Sequence, residues 1–146
     1  QYYKNKVSYS NLPIKKETQL KGIEGRIIDL QITLKSGDYR KFKIKLASNQ
    51  QFYSEIIYNR EEGILTFDRS HSGYRRDIVS TRSMIVEENN AFHMRILMDR
   101  YSVEIFVNYG KQVMTSLIYT PQSATGITFE SIGEALMDIT KYNIEV

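Results

Sequence analysis

The chain has 146 residues, a length that allows one domain with a sizeable hydrophobic core. Its apolar content of 41%, its charged content of 25% and its scattered net charge of +3 are ordinary for a globular protein and argue against a nucleic-acid or membrane surface. There are no cysteines, which excludes disulfides and cysteine metal sites, and no apolar run approaches the ~20 residues of a membrane-spanning helix.

Alternation of apolar and polar residues predicts strands along most of the chain. Residues 1–20 lack a clean period and contain Pro13, so we expect an N-terminal arm or an edge strand there. The alternation after this arm is regular. Single strands are predicted at 28–34, 42–46, 53–58, 64–69, 79–86, 127–131 and 136–146, with turns at 36–38, 61–63 and 87–90 among the connections.

The segment 94–119 is predicted to form three strands joined by tight turns at 99–102 and 108–111, with Gly110 supplying a positive φ. The first hairpin then sets Ile96 opposite Ile105, and the second brings Thr115 beside Glu104. Polar side chains gather on one face of this segment. They are Arg95, Asp99, Ser102 and Glu104.

About ten to twelve short strands without a helical period predict an all-β protein, an antiparallel two-sheet β-sandwich of jelly-roll or lectin-like type. We expect one module over residues 1–146, with residues 1–20 as an arm packed on it, acting as a monomer. The chain begins at Gln1 without Met or a signal peptide, so we expect it to be excised from a longer polypeptide.

Two stretches, TFDRSHSG at 66–73 and MDRYSVEIFVNYG at 98–110, resemble the signatures of a known family. That family is the C-terminal β-sandwich of glycoside hydrolase family 32, the fructan hydrolases and invertases. Segments 24–30, 57–59 and 115–119 resemble its supporting strands in the same order. The resemblance covers residues 20–146 and leaves the arm outside.

The resemblance implies a sandwich covalently attached to a five-bladed propeller that carries the catalytic carboxylates. The propeller's WMNDPNG, RDP and EC motifs are absent here, since Arg76-Asp77 is followed by Ile78 and the chain has no Trp or Cys. The chain is therefore expected not to be an enzyme by itself. It is also similar to the family 66 carbohydrate-binding module of bacterial exo-levanases, which implies binding of terminal fructose in levan.

The Asp68-Arg69 and Asp99-Arg100 pairs each place a carboxylate beside a guanidinium. Sugar hydroxyls can donate to the first and accept from the second, and such charge-assisted hydrogen bonds are strong. The predicted ligand-binding residues are Asp68, Arg69, Arg95, Asp99, Arg100, Glu104 and Tyr119. The alternative is a fold-stabilising network, with Arg95 and Glu104 as the pair suited to both roles. Tyr101 and Tyr119 are candidate pocket walls.

Other polar residues carry weaker predictions. Glu104 with Asp68 or Asp99 could form a glycosidase carboxylate pair, but the resemblance places catalysis on the propeller. His71 and His93 lack ligand-spaced partners, so we expect no metal site. No cofactor is expected, and a structural calcium ion is not predicted. Two further expectations concern packing: Phe106 beside Val113 in the sandwich core, and Lys41 to Lys45 on a solvated face.

The leading functional expectation is a non-catalytic module of a secreted fructan hydrolase that binds levan, or inulin-type ends, at the terminal fructosyl unit. It would keep the attached propeller on its polymer. No nucleic-acid or membrane partner is expected. The alternative is a purely structural domain that stabilises the propeller and binds no sugar. An independent hydrolase would release sugar from levan, and we expect no such release.

Overall fold

The computed structural model describes residues 2–35, 37–72, 81–87 and 91–145, and these residues form eleven strands. Their bounds are β1 Tyr2–Ile14, β2 Ile28–Leu34, β3 Lys41–Ser48, β4 Ser54–Asn59, β5 Ile64–Asp68, β6 Thr81–Ile85, β7 Phe92–Met98, β8 Ser102–Val107, β9 Gln112–Leu117, β10 Gly126–Ile132 and β11 Ala135–Glu145. The described residues contain no helix long and apolar enough to cross a membrane.

The strands form two antiparallel sheets, one in the order β1-β11-β2-β7-β8-β9 and the other in the order β10-β3-β4-β5-β6. The inward residues of the two sheets make one hydrophobic core. At its centre the ring of Tyr58 on β4 stacks on Phe92 of β7, with centroids 4.1 Å apart. This arrangement confirms the predicted all-β, two-sheet sandwich.

The N-terminal strand β1 forms an edge of the six-stranded sheet and pairs with β11. Its register shifts twice, and Asn5 and Asn11, both at φ 53°, lie in the two shifts. Each extra residue at a bulge reverses which face the following side chains occupy, and Asn tolerates the left-handed conformation. The two bulges therefore explain why residues 1–20 show no clean period.

Hydrogen bonds join the sheets along both sides of the sandwich. On one side the chain beyond β1 crosses over, and Thr18 exchanges two backbone hydrogen bonds with Phe129 of β10. On the other side Arg82 of β6 donates to the carbonyl of Thr115 on β9, at 2.6 Å. Gln112 of β9 donates in return to the carbonyl of Ile85. These bonds occupy edge carbonyls that would otherwise be open to another strand.

The hairpin predictions for 94–119 are confirmed. Ile96 pairs with Ile105 and Glu104 with Thr115, and Gly110 has a φ of 83°. Some predicted features fall on residues outside the described part of the chain. These are Ser36, Gly73, the Arg76-Asp77-Ile78 segment, Val79, Ser80, the end of the 87–90 turn and Val146.

The placement of Phe106 beside Val113 in the core was wrong. The two residues pair across β8 and β9, but on the outer face, where Val113 is 51% exposed. Val103, Ile105 and Val107 take the inward positions of β8, and the period of two leaves Phe106 outside with Glu104. The lysines of β3 lie on the outer face as predicted, half-buried rather than fully solvated.

Candidate functional site

An ion pair between Asp29 of β2 and Arg95 of β7 lies on the outer face of the six-stranded sheet. Arg95 donates through Nε to Oδ1 at 3.1 Å and through Nη2 to Oδ2 at 2.8 Å. Its Nη2 also donates to the hydroxyl of Tyr3 on β1, at 3.1 Å. The Asp29 side chain is fully buried, whereas that of Arg95 remains 39% exposed. The carboxylate thus fixes the guanidinium while part of the cation stays accessible.

The predicted pairing of Arg95 with Glu104 was therefore wrong. The cross-strand neighbour of Arg95 on β8 is Phe106, and its ionic partner comes from β2 on the opposite side. Glu104 is exposed on β8. The buried Asp29 attracts Arg95 more strongly than an exposed carboxylate could, because a bidentate pair at low exposure is weakly screened by water.

Arg95 lines a hollow of about 380 Å³ in this outer face. We call it the arginine hollow, and its lining residues are Gln31, His93, Arg95, Phe106, Tyr109 and Gly110. Gln31, Arg95 and Phe106 form one cross-strand row. The exposed ring of Tyr109 stacks on His93, with centroids 4.1 Å apart and planes at 12°.

The left-handed turn after β8 places the Tyr109 ring. Asn108 and Tyr109 have φ values of 50° and 61°. The Asn108 side chain holds the turn by donating to the carbonyl of Glu87 at 2.6 Å, and its Oδ1 accepts from the His93 amide at 3.3 Å. One wall of the arginine hollow is thereby fixed by backbone geometry.

The charges in the hollow are well defined. Hydrogen bonding to Asp29 raises the pKa of Arg95 further above its ordinary value. Burial lowers the pKa of His93, so its ring is neutral at pH 7. A fixed cation, an amide and flat aromatic rings can together donate to sugar hydroxyls and pack against the apolar face of a sugar ring.

A second hollow of about 290 Å³ adjoins the first along β7 and includes Asp99 and Glu104 in its lining. Asp99 accepts hydrogen bonds from the amides of Tyr101 and Ser102, at 2.8 and 2.7 Å, and from the Ser102 hydroxyl at 3.0 Å. Burial raises the pKa of Asp99, but these hydrogen bonds outweigh it and leave the pKa below its ordinary value. Asp99 thus shapes the first hairpin turn.

Arg26, a buried residue that sequence reasoning did not single out, stabilises the same turn. Its Nη2 donates to the carbonyl of Arg100 at 2.8 Å, and its Nη1 donates to that of Pro121 at 2.6 Å. Burial lowers the pKa of Arg26. The Arg100 side chain itself is exposed. Of the predicted residues, four lie on β7, on β8 or in the turn between these strands: Arg95, Asp99, Arg100 and Glu104.

The other three predicted residues lie at or just after the ends of β5 and β9. Asp68 ends β5 in the five-stranded sheet, and its Oδ1 accepts from the Ser70 amide at 2.8 Å. The Arg69 guanidinium lies over the ring of Tyr119, 5.2 Å from its centroid. Since Tyr119 follows β9, this contact joins the two sheets. The seven residues are thus divided between the two sheets, and Tyr119 follows Ile118, whose amide donates to the Tyr101 carbonyl beside Arg100.

The described residues contain no group of three His, Cys, Asp or Glu side chains able to hold a metal ion. His71 stacks on Tyr53, with centroids 4.8 Å apart, beside the five-stranded sheet, whereas His93 lies on β7.

Sequence reasoning missed Asp29, Gln31, Phe106 and Tyr109 as members of the candidate site. Strict alternation in IDLQITL already assigns Asp29 and Gln31 to the outer face of β2. It gives no indication that β2 lies beside β7, because that pairing joins residues between 58 positions apart (Leu34 and Phe92) and 70 positions apart (Ile28 and Met98).

The chain is similar to several known proteins. The relatives include sucrose-6-phosphate hydrolase of Staphylococcus xylosus, 33% identical over 130 residues, which are 87% of this chain and 26% of that protein. A levanase of Bacillus subtilis is 30% identical over 107 residues, 68% of this chain and 16% of the levanase. The fold matches fructan 1-exohydrolase IIa from Cichorium intybus, with a TM-score of 0.83 and 17% identity over 98% of this chain and 36% of that one.

The chain thus spans about a quarter or less of the length of these two sequence relatives. The family described as "Glycosyl hydrolases family 32 C terminal" matches residues 1–145. The match includes the N-terminal strand β1, which the sequence resemblance had left outside. The chain therefore belongs to the C-terminal β-sandwich domain family of glycoside hydrolase family 32.

Proposed function

We propose that this domain is a non-catalytic module that binds a terminal fructosyl unit of fructan in the arginine hollow. By this contact it would keep an attached family 32 catalytic domain on its polymer. The supporting observation is that the buried carboxylate of Asp29 fixes the guanidinium of Arg95 in a hollow that also presents Gln31 and the rings of Phe106 and Tyr109.

A fructosyl unit offers both kinds of surface that this hollow can bind. Its neighbouring hydroxyls can accept from Arg95 and exchange hydrogen bonds with the Gln31 amide, while its carbon-bound hydrogens pack against Tyr109 or Phe106. Arg95 is already held in place, so binding costs little side-chain entropy. A shallow hollow gives weak affinity for one unit. A tether to the catalytic domain turns weak binding into longer residence on a polymer.

Levan is the polymer to test first, because relatives with this domain include levanases of Bacillus subtilis and of Bacillus sp.. Inulin-type chain ends are the second choice. A polymer of this kind is met outside the cell, so the parent enzyme would be secreted. The module would act as a monomer, since its proposed contacts come from one chain.

The test is calorimetric titration of the chain with fructose, levan and inulin, together with amide chemical shifts. We expect saturable shifts at β2, β7 and the 108–111 turn. Gln31→Ala and Tyr109→Asn should each weaken levan binding about ten-fold, the equivalent of one lost aromatic or hydrogen-bonding contact. Asn suits the left-handed φ of position 109.

Matched controls are Gln51→Ala, in the exposed loop before β4, and Tyr101→Asn, in the first hairpin turn. Tyr101 was predicted as a pocket wall, but it lines a different hollow, with Ile27 and Asp99, and not the arginine hollow. Both should bind levan like the unaltered chain. Absence of heat and of shifts with levan would rule out the proposal. Equal losses of levan affinity in the control variants would mean that the binding site is not the arginine hollow.

A purely structural role is the second candidate, and exposed apolar side chains on β9 favour it. Val113 and Leu117 lie on the outer face of this edge strand and are 51% and 50% exposed. Such a patch fits a surface that packs against a catalytic propeller. In the parent enzyme, Val113→Ser with Leu117→Ser would then lower the melting temperature of the catalytic domain. An unchanged melting temperature would reject this role.

A further inference from the structure

A pair of tyrosine rings lies on the other side of Asp29 from the arginine hollow. The ring of Tyr3 on β1 and that of Tyr142 on β11 are 5.1 Å apart between centroids and tilted by 34°. We call them the tyrosine pair. Tyr3 is 43% exposed, and its hydroxyl accepts the hydrogen bond from Arg95. The tyrosine pair is therefore linked directly to the cation that lines the hollow.

Strand order fixes how the tyrosine pair and the hollow are related. Tyr142 lies opposite Asp29 on β2, Arg95 is on β7, and Tyr109 follows β8. The Tyr109 ring stacks on His93 of β7, two strand spacings from β11 and four residues along β7 from the level of Asp29. The two aromatic groups are therefore separated by about 10 Å across the sheet and about 13 Å along it. This distance is longer than one monosaccharide. The Asp29–Arg95 pair lies between the two groups.

The hydroxyl of Tyr3 serves the ion pair through its hydrogen bond, but no hydrogen bond to the pair requires the half-buried ring of Tyr142. An aliphatic side chain at position 142 would exclude water from the carboxylate equally well, and it would leave no flat ring beside Tyr3. Aromatic rings on an open sheet face offer large contact area at low entropic cost, as sugar-binding surfaces require. The outward residues Thr140 and Gln31 are polar and add hydrogen-bonding groups in the adjacent cross-strand row.

We infer that the tyrosine pair is a second sugar subsite, so that the module binds a run of several fructosyl units laid diagonally across the strands. This inference rests on the proposed function of the arginine hollow. The terminal unit occupies the hollow, and the following units lie over Arg95 and reach Tyr3 and Tyr142. The ligand is then an oligosaccharide end and not a single fructose.

The test is titration of the 146-residue chain with fructose and with the levan disaccharide, trisaccharide and tetrasaccharide. Affinity should rise about ten-fold between fructose and the longer chains, the gain expected from one added aromatic subsite. Tyr142→Leu should remove that gain and leave fructose binding unchanged. Tyr109→Asn should weaken every ligand, fructose included. Thermal unfolding of each variant would show whether it is folded.

Amide shifts of the unaltered chain provide a measurement that needs no variant. The tetrasaccharide should perturb β11 around Tyr142, and fructose should not. Equal affinity for fructose and tetrasaccharide, without shifts on β11, would overturn the second subsite and leave the proposed function standing. Absence of binding by every sugar would overturn both. If affinity still rises with chain length in the Tyr142→Leu variant, the second subsite would also be overturned.

Discussion

Asp29 and Arg95 form an asymmetric ion pair, in which the carboxylate is fully buried and the guanidinium remains 39% exposed. The two partners therefore differ in what each would meet if the other were removed. A solitary Arg95 could turn its charge toward water. A solitary Asp29 would remain a buried carboxylate without an ionic partner, with the Tyr3 hydroxyl in hydrogen-bonding contact.

We accordingly expect Arg95→Ala to lower the free energy of unfolding by about 3 kcal/mol, as for an uncompensated buried charge. Asp29→Asn should cost about 1–2 kcal/mol, because the neutral amide keeps part of the hydrogen bonding. Urea unfolding at pH 7 measures both. Lys35→Ala breaks the more exposed pair with Asp138 and should cost less than ~1 kcal/mol. Equal losses for Arg95→Ala and Asp29→Asn would contradict the asymmetry.

Glu55 on β4 predicts a pH-dependent change in stability. It is buried, it lies opposite Asp68, and burial raises its pKa. The folded chain therefore holds this proton to higher pH than the unfolded chain, whose Glu pKa is about 4.3. Protonated Glu55 therefore contributes its full stability below the pKa of the unfolded chain. This contribution is lost as the pH rises through the higher pKa that Glu55 has in the folded chain.

Glu55→Gln mimics the protonated group, so it should stabilise the fold at pH 7 and have little effect near pH 3, where the unaltered side chain is also protonated. Thermal unfolding across this range tests the prediction. Glu104→Gln, at an exposed position of β8, is the control for the substitution itself. A Glu55→Gln effect that is constant with pH would mean that its charge is not responsible.

The sandwich and the register of the 94–119 hairpins could be predicted because both follow from short-range alternation and turn residues. Ile96 opposite Ile105 is one such result. The Asp29–Arg95 pair could not be predicted, because it depends on which distant strand lies beside β7. Alternation assigns a residue to a face but does not say whether that face is buried. The placement of Phe106 in the core disregarded this alternation, which puts Phe106 on the same face as Glu104.

Two glycines with nearly the same backbone conformation predict very different costs of substitution. Gly110 and Gly133 have φ values of 83° and 81°. A Cβ at Gly110 would meet nothing within 4 Å, so Gly110→Ala should cost only about 1–2 kcal/mol of left-handed strain. A Cβ at Gly133 would lie 2.6 Å from the carbonyl oxygen of Asp38 and 2.9 Å from Cα of Tyr39.

Gly133→Ala must therefore shift backbone as well as bear the strain, and we expect it to cost roughly 1–3 kcal/mol more than Gly110→Ala. Denaturant unfolding of the two variants gives this difference directly. Because φ is matched, each variant is the control for the other. A difference near zero would show that the loop around Asp38 yields without cost.

Arg82 predicts a local effect at the side of the sandwich. Its Nη1 donates to the Thr115 carbonyl and so joins edge strand β6 to edge strand β9. Arg82→Ala should raise the amide exchange rates of β6 by freeing that edge, while central strands β2 and β7 stay protected, because local opening needs fewer broken contacts than global unfolding. Arg82→Lys retains a donor and should preserve most of the protection. Faster exchange throughout both sheets would instead mean that the contact stabilises the whole domain.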